Sequence, residues 1–127
     1  MDINPTKGFW LSSETEWEEV KPGLERQIMG FDKKIMLVKA KFDKGAIGDM
    51  HQHYHSQVTY VASGEFEMTI DGKTVTLKEG DSFYVVPHLM HGCVCTKPGT
   101  LIDVFSPVRE DFLGYEMLAK DPTTYEV

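Results

Sequence analysis

A run of alternating histidines lies near the middle of the chain, in the segment GAIGDMHQHYHSQVTYVASG from Gly45 to Gly64. Successive side chains of an extended strand point to opposite faces. If residues 50–61 are extended, one face carries His51, His53, His55, Gln57, Thr59 and Val61. Neighbours on one face start about 6–7 Å apart, so two imidazoles can lean onto one ion at about 2.1 Å from each nitrogen. A helix would direct His51 and His53 apart. We interpret the segment as a metal-binding strand; the alternative is a polar strand with solvated histidines.

The length and charge of the chain exclude several classes of protein. A chain of 127 residues is long enough for one domain with its own core. No apolar run approaches the length of a membrane span. The first residues, MDINPTKGFWLSS, lack the basic head and apolar block of a secretory signal, so we expect a cytoplasmic protein. A net charge of −7 opposes binding to a phosphate backbone, and we expect neither nucleic acid nor a membrane as partner.

Alternation of apolar and polar residues predicts a series of short strands. In residues 34–42, for example, one face carries Met36, Val38, Ala40 and Phe42. Asp71-Gly72 suits a two-residue hairpin that would direct Val75 and Leu77 towards the core. Gly64 and the Lys97-Pro98-Gly99 turn are expected to separate further strands, and only residues 109–119 could hold a helical turn or two. Many short strands with glycine and proline corners predict an all-β sandwich or barrel.

Cys93 and Cys95 lie two positions apart in a predicted strand. Both thiols then point the same way, which makes an unstrained disulfide between them unfavourable. We expect both to be reduced and to fill the core; the alternative is that one serves as a ligand or nucleophile.

The spacing of Gly45, His51, His53, Gln57 and Gly64 resembles the first motif of the cupin family, with glutamine in place of the usual glutamate. In the second motif Gly80 and His91 keep the family's separation, but Pro87 lies one position late and Cys95 replaces the usual asparagine. The resemblance implies a single-domain cupin β-barrel, a double-stranded β-helix or jelly roll, over residues 1–127. Residues 1–13 would be an N-terminal arm, 34–106 the barrel core and 107–127 a C-terminal tail. By the same resemblance the metal ligands are His51, His53, Gln57 and His91. His55 and His88 would lie beside the ligands or at the surface.

A narrower resemblance covers residues 34–113. The segments QVTYVASGEFEMTI, GDSFYVVP, HGCVC and LIDVFSPVREDFL are similar to those of the pectin-degradation cupins called KdgF. Members of that family are metal-dependent and convert 4,5-unsaturated monouronates, released from pectin or alginate by lyases, into linear keto-uronates. The resemblance implies an isomerase-type activity of this kind. It gives catalytic roles to Asp103 and Arg109 and substrate-binding roles to Phe105 and Arg109.

The residue types partly support these roles. Leu101, Asp103 and Phe105 occupy alternate positions of a predicted strand and so share one face. The carboxylate would therefore point with the apolar side chains into the barrel. There it is a candidate acid or base; the alternative is a turn cap or a structural pair with Arg109. Because Gln57 is neutral, a divalent ion on three histidines keeps its full charge and suits an anionic ligand. That ligand set suits one transition metal, nickel, zinc, iron or cobalt, in Lewis-acid chemistry.

Two other functions are compatible with the sequence, a cupin dioxygenase and a non-catalytic protein that binds sugar acids. We also expect a homodimer, because the arm carries Phe9 and Trp10, and Val58 and Tyr60 would point outwards from the histidine strand.

Overall fold

The structure, a computed structural model, describes residues 7–116 of the chain. In this range the backbone forms antiparallel strands and two short 3-10 turns, which confirms the predicted all-β class. The strands are β1 (Glu18–Lys21), β2 (Leu24–Phe31), β3 (Met36–Phe42), β4 (Ile47–His51), β5 (Ser56–Ile70), β6 (Lys73–Lys78), β7 (Ser82–Val85) and β8 (His91–Ser106). The N-terminal turn is Ser12–Glu14 and the C-terminal turn is Glu110–Leu113.

β5 and β8 pair with each other along most of their length and belong to both walls of a barrel. The first part of β8 pairs with β4 and its last part with β3. β5 pairs first with β7 and then with β6. Phe42 on β3 meets Phe66 on β5 edge to face, with ring centroids 5.2 Å apart. The two walls therefore enclose one interior.

Two predicted strand breaks are wrong, because the strands bend there and continue. β5 runs for 15 residues through Gly64, and β8 runs for 16 residues through Gly99. The two backbones touch at the bend, where a Cβ on Gly99 would lie 2.1 Å from the Ser63 carbonyl oxygen. A Cβ on Gly64 would lie 2.6 Å from the Cα of Gly99. These glycines allow a close approach of two bent strands, a use of glycine that looks like a turn signal in the sequence.

Period-two burial is confirmed in β3 and in the first part of β5. The predicted inner residues of β3 are all buried: Met36, Val38, Ala40 and Phe42. The hairpin at Asp71-Gly72 is also confirmed, with positive φ at both residues and Ile70 paired with Lys73. The expectation for Val75 is wrong, since its side chain is 45% exposed, whereas Leu77 packs on the core. β6 pairs only with β5 in the described part of the chain.

Apolar side chains from both walls pack together in the interior. This apolar core consists of Leu24, Ala40, Phe42, Val61, Phe66, Met68, Cys93, Cys95 and Leu101. Both cysteines are reduced and buried, as predicted, and burial raises the pKa of the Cys93 thiol to about 11. A thiol with so high a pKa is a poor nucleophile at neutral pH.

The described part of the N-terminal arm lies on β2 and is held by a buried amide. Gln27 is fully buried, and its Nε2 donates to the carbonyl oxygens of Ser12 at 2.9 Å and Thr15 at 2.8 Å. Trp10 packs on Phe31, with ring centroids 5.5 Å apart, whereas Phe9 is 88% exposed. Trp10 and Gln27 therefore anchor the arm, and Phe9 does not.

The ends of the predicted arm and tail, residues 1–6 and 117–127, lie outside the described residues. The helical turn expected in 109–119 is present as the C-terminal turn. Within 7–116 no helix has the length and apolarity that a membrane crossing requires.

Candidate active site

The barrel brings together the predicted metal ligands His51, His53 and His91, with Gln57 beside them. His51 ends β4 and His91 begins β8, and the two residues are partners in the strand ladder. Gln57 is the second residue of β5. His53 belongs to residues 52–55, which form no strand between β4 and β5. The predicted continuous strand over 50–61 is therefore wrong, although the four side chains that the family resemblance implied as ligands lie close together.

The three rings face a common point. Their ligand nitrogens lie within 4.8 Å of one another. Ring centroids are 4.2 Å apart for His51 and His91, 4.9 Å for His53 and His91, and 5.4 Å for His51 and His53. Of the three, His53 and His91 are buried and His51 is exposed at the rim.

The backbone sets the tautomer of each ring. Nδ1 of His51 donates to the Asp49 carbonyl at 2.7 Å, that of His53 to the His55 carbonyl at 3.1 Å, and that of His91 to the Leu89 carbonyl at 2.9 Å. A carbonyl oxygen only accepts, so each Nδ1 carries the hydrogen and each neutral ring has its lone pair on Nε2.

Burial keeps these rings neutral. It lowers the pKa of His53 to about 3, with further lowering from the nearby Arg109 charge. It lowers the pKa of His91 to about 4, and the pKa of His51 falls for the same reason. Neutral imidazoles are the form that binds metal ions.

Gln57 adds another acceptor to the cluster. Its Nε2 donates to Thr59 Oγ1 at 2.9 Å and to Asp103 Oδ1 at 3.4 Å, which directs Oε1 at His53 Nε2, 3.0 Å away. Two lone pairs meet at this contact. Nε2 of His91 is buried and has no hydrogen-bond partner among the described residues. Converging, unsatisfied acceptors fit a cation, and imidazole nitrogens with an amide oxygen suit a transition metal.

Asp103 lies directly behind Gln57 in the same cavity. Its Oδ1 accepts from Thr59 Oγ1 at 2.6 Å as well as from Gln57. Burial raises the pKa of Asp103 to about 6, against the opposing effects of the Thr59 hydrogen bond and the Arg109 charge. A carboxyl group with this pKa can both accept and release a proton near neutral pH.

Arg109 is buried and is held by Asp111, two positions further along the chain. Its Nε and Nη2 donate to Asp111 at 3.0 and 2.8 Å. The guanidinium carbon lies 4.1 Å from the ring centroid of Phe112 and 5.0 Å from that of Phe105. Asp111 therefore takes one edge of the guanidinium, and the Nη1 donors have no hydrogen-bond partner in residues 7–116. A carboxylate ligand would bind at that remaining edge.

All these groups line one cavity of about 240 Å³. Its wall also includes Lys21, Arg26 and Phe112, which the sequence did not single out. The guanidinium of Arg26 lies 3.9 Å from the Phe112 ring centroid. The apolar pattern of residues 101–113 gave no signal for Arg26, because its strand is distant in the sequence.

The His55 ring lies beside the His53 ring, with centroids 5.3 Å apart, but it does not join the converging ligand nitrogens. Its side chain is fully buried, and its Nε2 donates to Glu110 at 2.7 Å. The expectation that it shares a face with His51 and His53 is wrong, since the chain leaves the extended conformation at 52–55. His55, Glu110 and Asp111 also cluster closely enough to suggest a second cation site. Both oxygens of Glu110 accept hydrogen bonds from side chains, however, so we assign a hydrogen-bond network there.

Comparison with known proteins places this chain in a family. A family model described as a cupin domain matches residues 38–105. The pectin degradation protein KdgF of Dickeya dadantii (strain 3937) is 45% identical over 107 residues, covering 83% of this chain and 97% of that protein.

Two solved structures are similar over most of the chain. An RmlC-like cupin from Shewanella frigidimarina NCIMB 400 is 51% identical with a TM-score of 0.82, covering 84% of this chain and 96% of that one. The KdgF structure from Halomonas sp. is 41% identical with a TM-score of 0.79, covering 84% of this chain and 99% of that one. The chain belongs to the cupin family.

Proposed function

We propose that this protein is a metal-dependent enzyme of pectin or alginate breakdown that converts 4,5-unsaturated monouronates into linear keto-uronates. Its similarity to the KdgF proteins supports the pathway, since the relative from Dickeya dadantii is named for pectin degradation. The chemistry of the cavity supports the reaction type.

The observation that carries the proposal is the juxtaposition of an acceptor cluster with a half-buried acid and a buried guanidinium. Asp103 Oδ1 lies 3.4 Å from the amide nitrogen of Gln57, whose oxygen faces His53. Arg109 lines the same cavity. A site with cationic groups and one proton-transfer group suits an anionic substrate that must be deprotonated and reprotonated.

Each residue then has a role in an isomerisation. A divalent cation held by the imidazoles and Gln57 would supply a Lewis acid that stabilises developing enolate charge. Arg109 binds the substrate carboxylate through its Nη1 edge, and Phe105 packs against the sugar ring. Asp103 removes the proton of the anomeric hydroxyl, the bond between C1 and the ring oxygen breaks, and an aldehyde and an enolate form. Asp103 returns the proton to C4 as the C5 oxygen becomes the ketone. Atoms balance without water or redox change.

The test is incubation of the pure protein with lyase-generated unsaturated monouronate, with and without oxygen. We expect the ultraviolet band of the conjugated enol ether to disappear equally in both, and reaction in deuterated water to place label at C4 of the product. Asp103→Asn protein serves as the matched control. Strict dependence on oxygen would support a dioxygenase instead, and unchanged substrate would support a non-catalytic binding protein; either result contradicts the proposal.

We also propose that the protein is a homodimer. The outer face of the barrel beside β5 and β7 carries exposed apolar side chains, Val58, Tyr60, Tyr84 and Val86. The arm lies against β2, where Ser12 and Thr15 bind Gln27. Val58 and Tyr84 are partners in the strand ladder, so the apolar side chains on β5 and β7 form one patch that a second copy of the chain would cover. Light scattering at micromolar concentration should report the mass of two chains, and Tyr84→Asp should reduce it to one. A wild-type mass of one chain would contradict this proposal.

A further inference from the structure

Glu110 is a buried carboxylate that the proposed reaction does not use. It begins the C-terminal turn and is 1% exposed. Its Oε1 accepts a hydrogen bond from His55 Nε2 at 2.7 Å, and its Oε2 accepts one from the Tyr54 hydroxyl. The Tyr54 and His55 rings stack, with centroids 3.9 Å apart. Burial of a carboxylate is unfavourable unless its oxygens accept hydrogen bonds. Here the two oxygens of Glu110 accept from two consecutive residues, Tyr54 and His55.

Those two residues follow His53 directly. Nδ1 of His53 donates to the backbone carbonyl of His55, and the His53 carbonyl accepts from the His88 N–H at 2.8 Å. Residues 52–55 lie in no strand. Strand-ladder hydrogen bonds therefore do not hold His53, and its orientation depends on where the His55 carbonyl is placed.

His51 and His91 are positioned differently. They face each other in the ladder between β4 and β8. Gly92 allows β4 to pass close by, because a Cβ there would lie 2.7 Å from the Gly48 carbonyl oxygen. The sheet itself sets these two ligands, whereas His53 depends on a side-chain anchor, Glu110, which bonds Tyr54 and His55 from 56 and 55 residues away in sequence.

We propose that Glu110 is a positioning residue for the metal ligand His53, acting through the side chain of His55. With the His55 ring anchored on Glu110, its carbonyl stays directed at His53 Nδ1, and His53 Nε2 stays directed at His51 and His91. Asp111 in the same turn holds Arg109. One short turn thus sets both a metal ligand and the guanidinium proposed to bind the substrate.

The test is metal affinity, measured by competition between the protein and a chelator for zinc or cobalt. Groups that orient metal-binding histidines typically contribute about 10- to 100-fold in affinity, and we expect Glu110→Gln to lose that much. Glutamine keeps the size, so the variant should fold, but its one neutral acceptor cannot serve both His55 Nε2 and the Tyr54 hydroxyl and bonds less strongly than a carboxylate. The absorption spectrum of bound cobalt should change as well, because it reports the ligand geometry. Phe66→Leu, which loosens the apolar core, is the control for general destabilisation and should keep wild-type affinity and spectrum.

Variants of His55 test the route. His55→Gln keeps a donor of similar reach and should keep most of the metal affinity. His55→Leu has no donor and should weaken metal binding as Glu110→Gln does. In the His55→Leu background, Glu110→Gln should have little further effect, since residues acting in one network are not additive. Additive losses would overturn the route through His55.

The inference rests on the proposed metal site and not on the uronate reaction. Wild-type affinity in folded Glu110→Gln overturns the inference and leaves the proposed function standing. Failure of the wild-type protein to bind zinc or cobalt overturns both, and metal binding without uronate turnover contradicts the proposed function alone.

Discussion

The apolar core and the histidine pocket occupy two regions of one barrel interior and treat burial in opposite ways. In the apolar core, side chains such as Phe42 and Phe66 pack on one another and every contact favours folding. In the histidine pocket, burial holds His53 and His91 neutral and raises the pKa of Asp103. The lone pairs of Gln57 Oε1 and His53 Nε2 repel each other unless a cation lies between them. Packing in the apolar core stabilises the fold, and that stability offsets the unfavourable burial of polar groups in the histidine pocket.

The largest expected effect comes from removing two ligands of the histidine pocket. Protein purified without added metal should contain a nearly stoichiometric divalent transition metal, and the double variant His51→Ala, His91→Ala should lose it. Activity should fall to background, because the remaining His53 and Gln57 cannot hold the ion alone. Elemental analysis measures both proteins. Metal retained by the double variant would show that the ligand assignment is wrong.

Asp103→Asn should reduce turnover by about 10²–10⁴, the range for loss of a general acid or base. Metal content should stay at the wild-type level, since the asparagine oxygen can still accept from Gln57 and Thr59. The wild-type kcat/KM should fall as the pH drops through about 6, because the base becomes protonated there. Normal turnover in the variant would assign the proton transfer to another group.

Phe66→Ala tests the apolar core. Truncation of a buried phenylalanine typically destabilises a protein by about 3–5 kcal/mol, and Phe66 is 1% exposed. Denaturant unfolding should show this loss, while metal affinity at low temperature should remain that of wild type. A large loss of affinity in the folded variant would show that the two regions are coupled.

Asp103→Asn should also stabilise the metal-free protein above pH 6. The folded pKa of Asp103, about 6, lies above the ordinary value of 3.8, so its stabilising contribution is complete below 3.8 and is lost as the pH rises through 6. Asparagine cannot ionise, and its advantage at pH 7–8 should be on the order of 1–3 kcal/mol. Thermal unfolding at pH 4 and pH 8 measures it. An equal advantage at both pH values would contradict the burial argument.

The smallest effect is expected at Val75, which the sequence pattern places in the core. Because the side chain is 45% exposed, Val75→Thr should change the free energy of unfolding by less than about 0.5 kcal/mol. Val61 is fully buried in the apolar core and provides the matched control. Val61→Thr buries a hydroxyl and should cost about 1–3 kcal/mol. Equal effects at the two positions would contradict the placement of β6.

Period-two patterns and motif spacing were sufficient for the all-β class, the buried face of β3 and the convergence of His51, His53, Gln57 and His91. Alternation along a strand is sufficient for the buried face of β3. The four converging side chains follow instead from the family resemblance, because they lie on different strands and His53 lies in none. The bends at Gly64 and Gly99 could not be distinguished from turns in the sequence. Glycine is required at these positions because the backbone of the paired strand leaves no room for a side chain.

Motif spacing separated His51 and His53 from His55, but only the tertiary structure shows which partner each ring nitrogen has. His51, His53 and His55 have the same spacing, yet His55 binds Glu110, 55 residues further along the chain. Likewise, Asp111 occupies one edge of Arg109 and so limits how that guanidinium can meet a ligand. The physical reason is that the direction of a lone pair depends on the partner of the other ring nitrogen. In a barrel those partners come from distant segments that the sequence pattern does not connect.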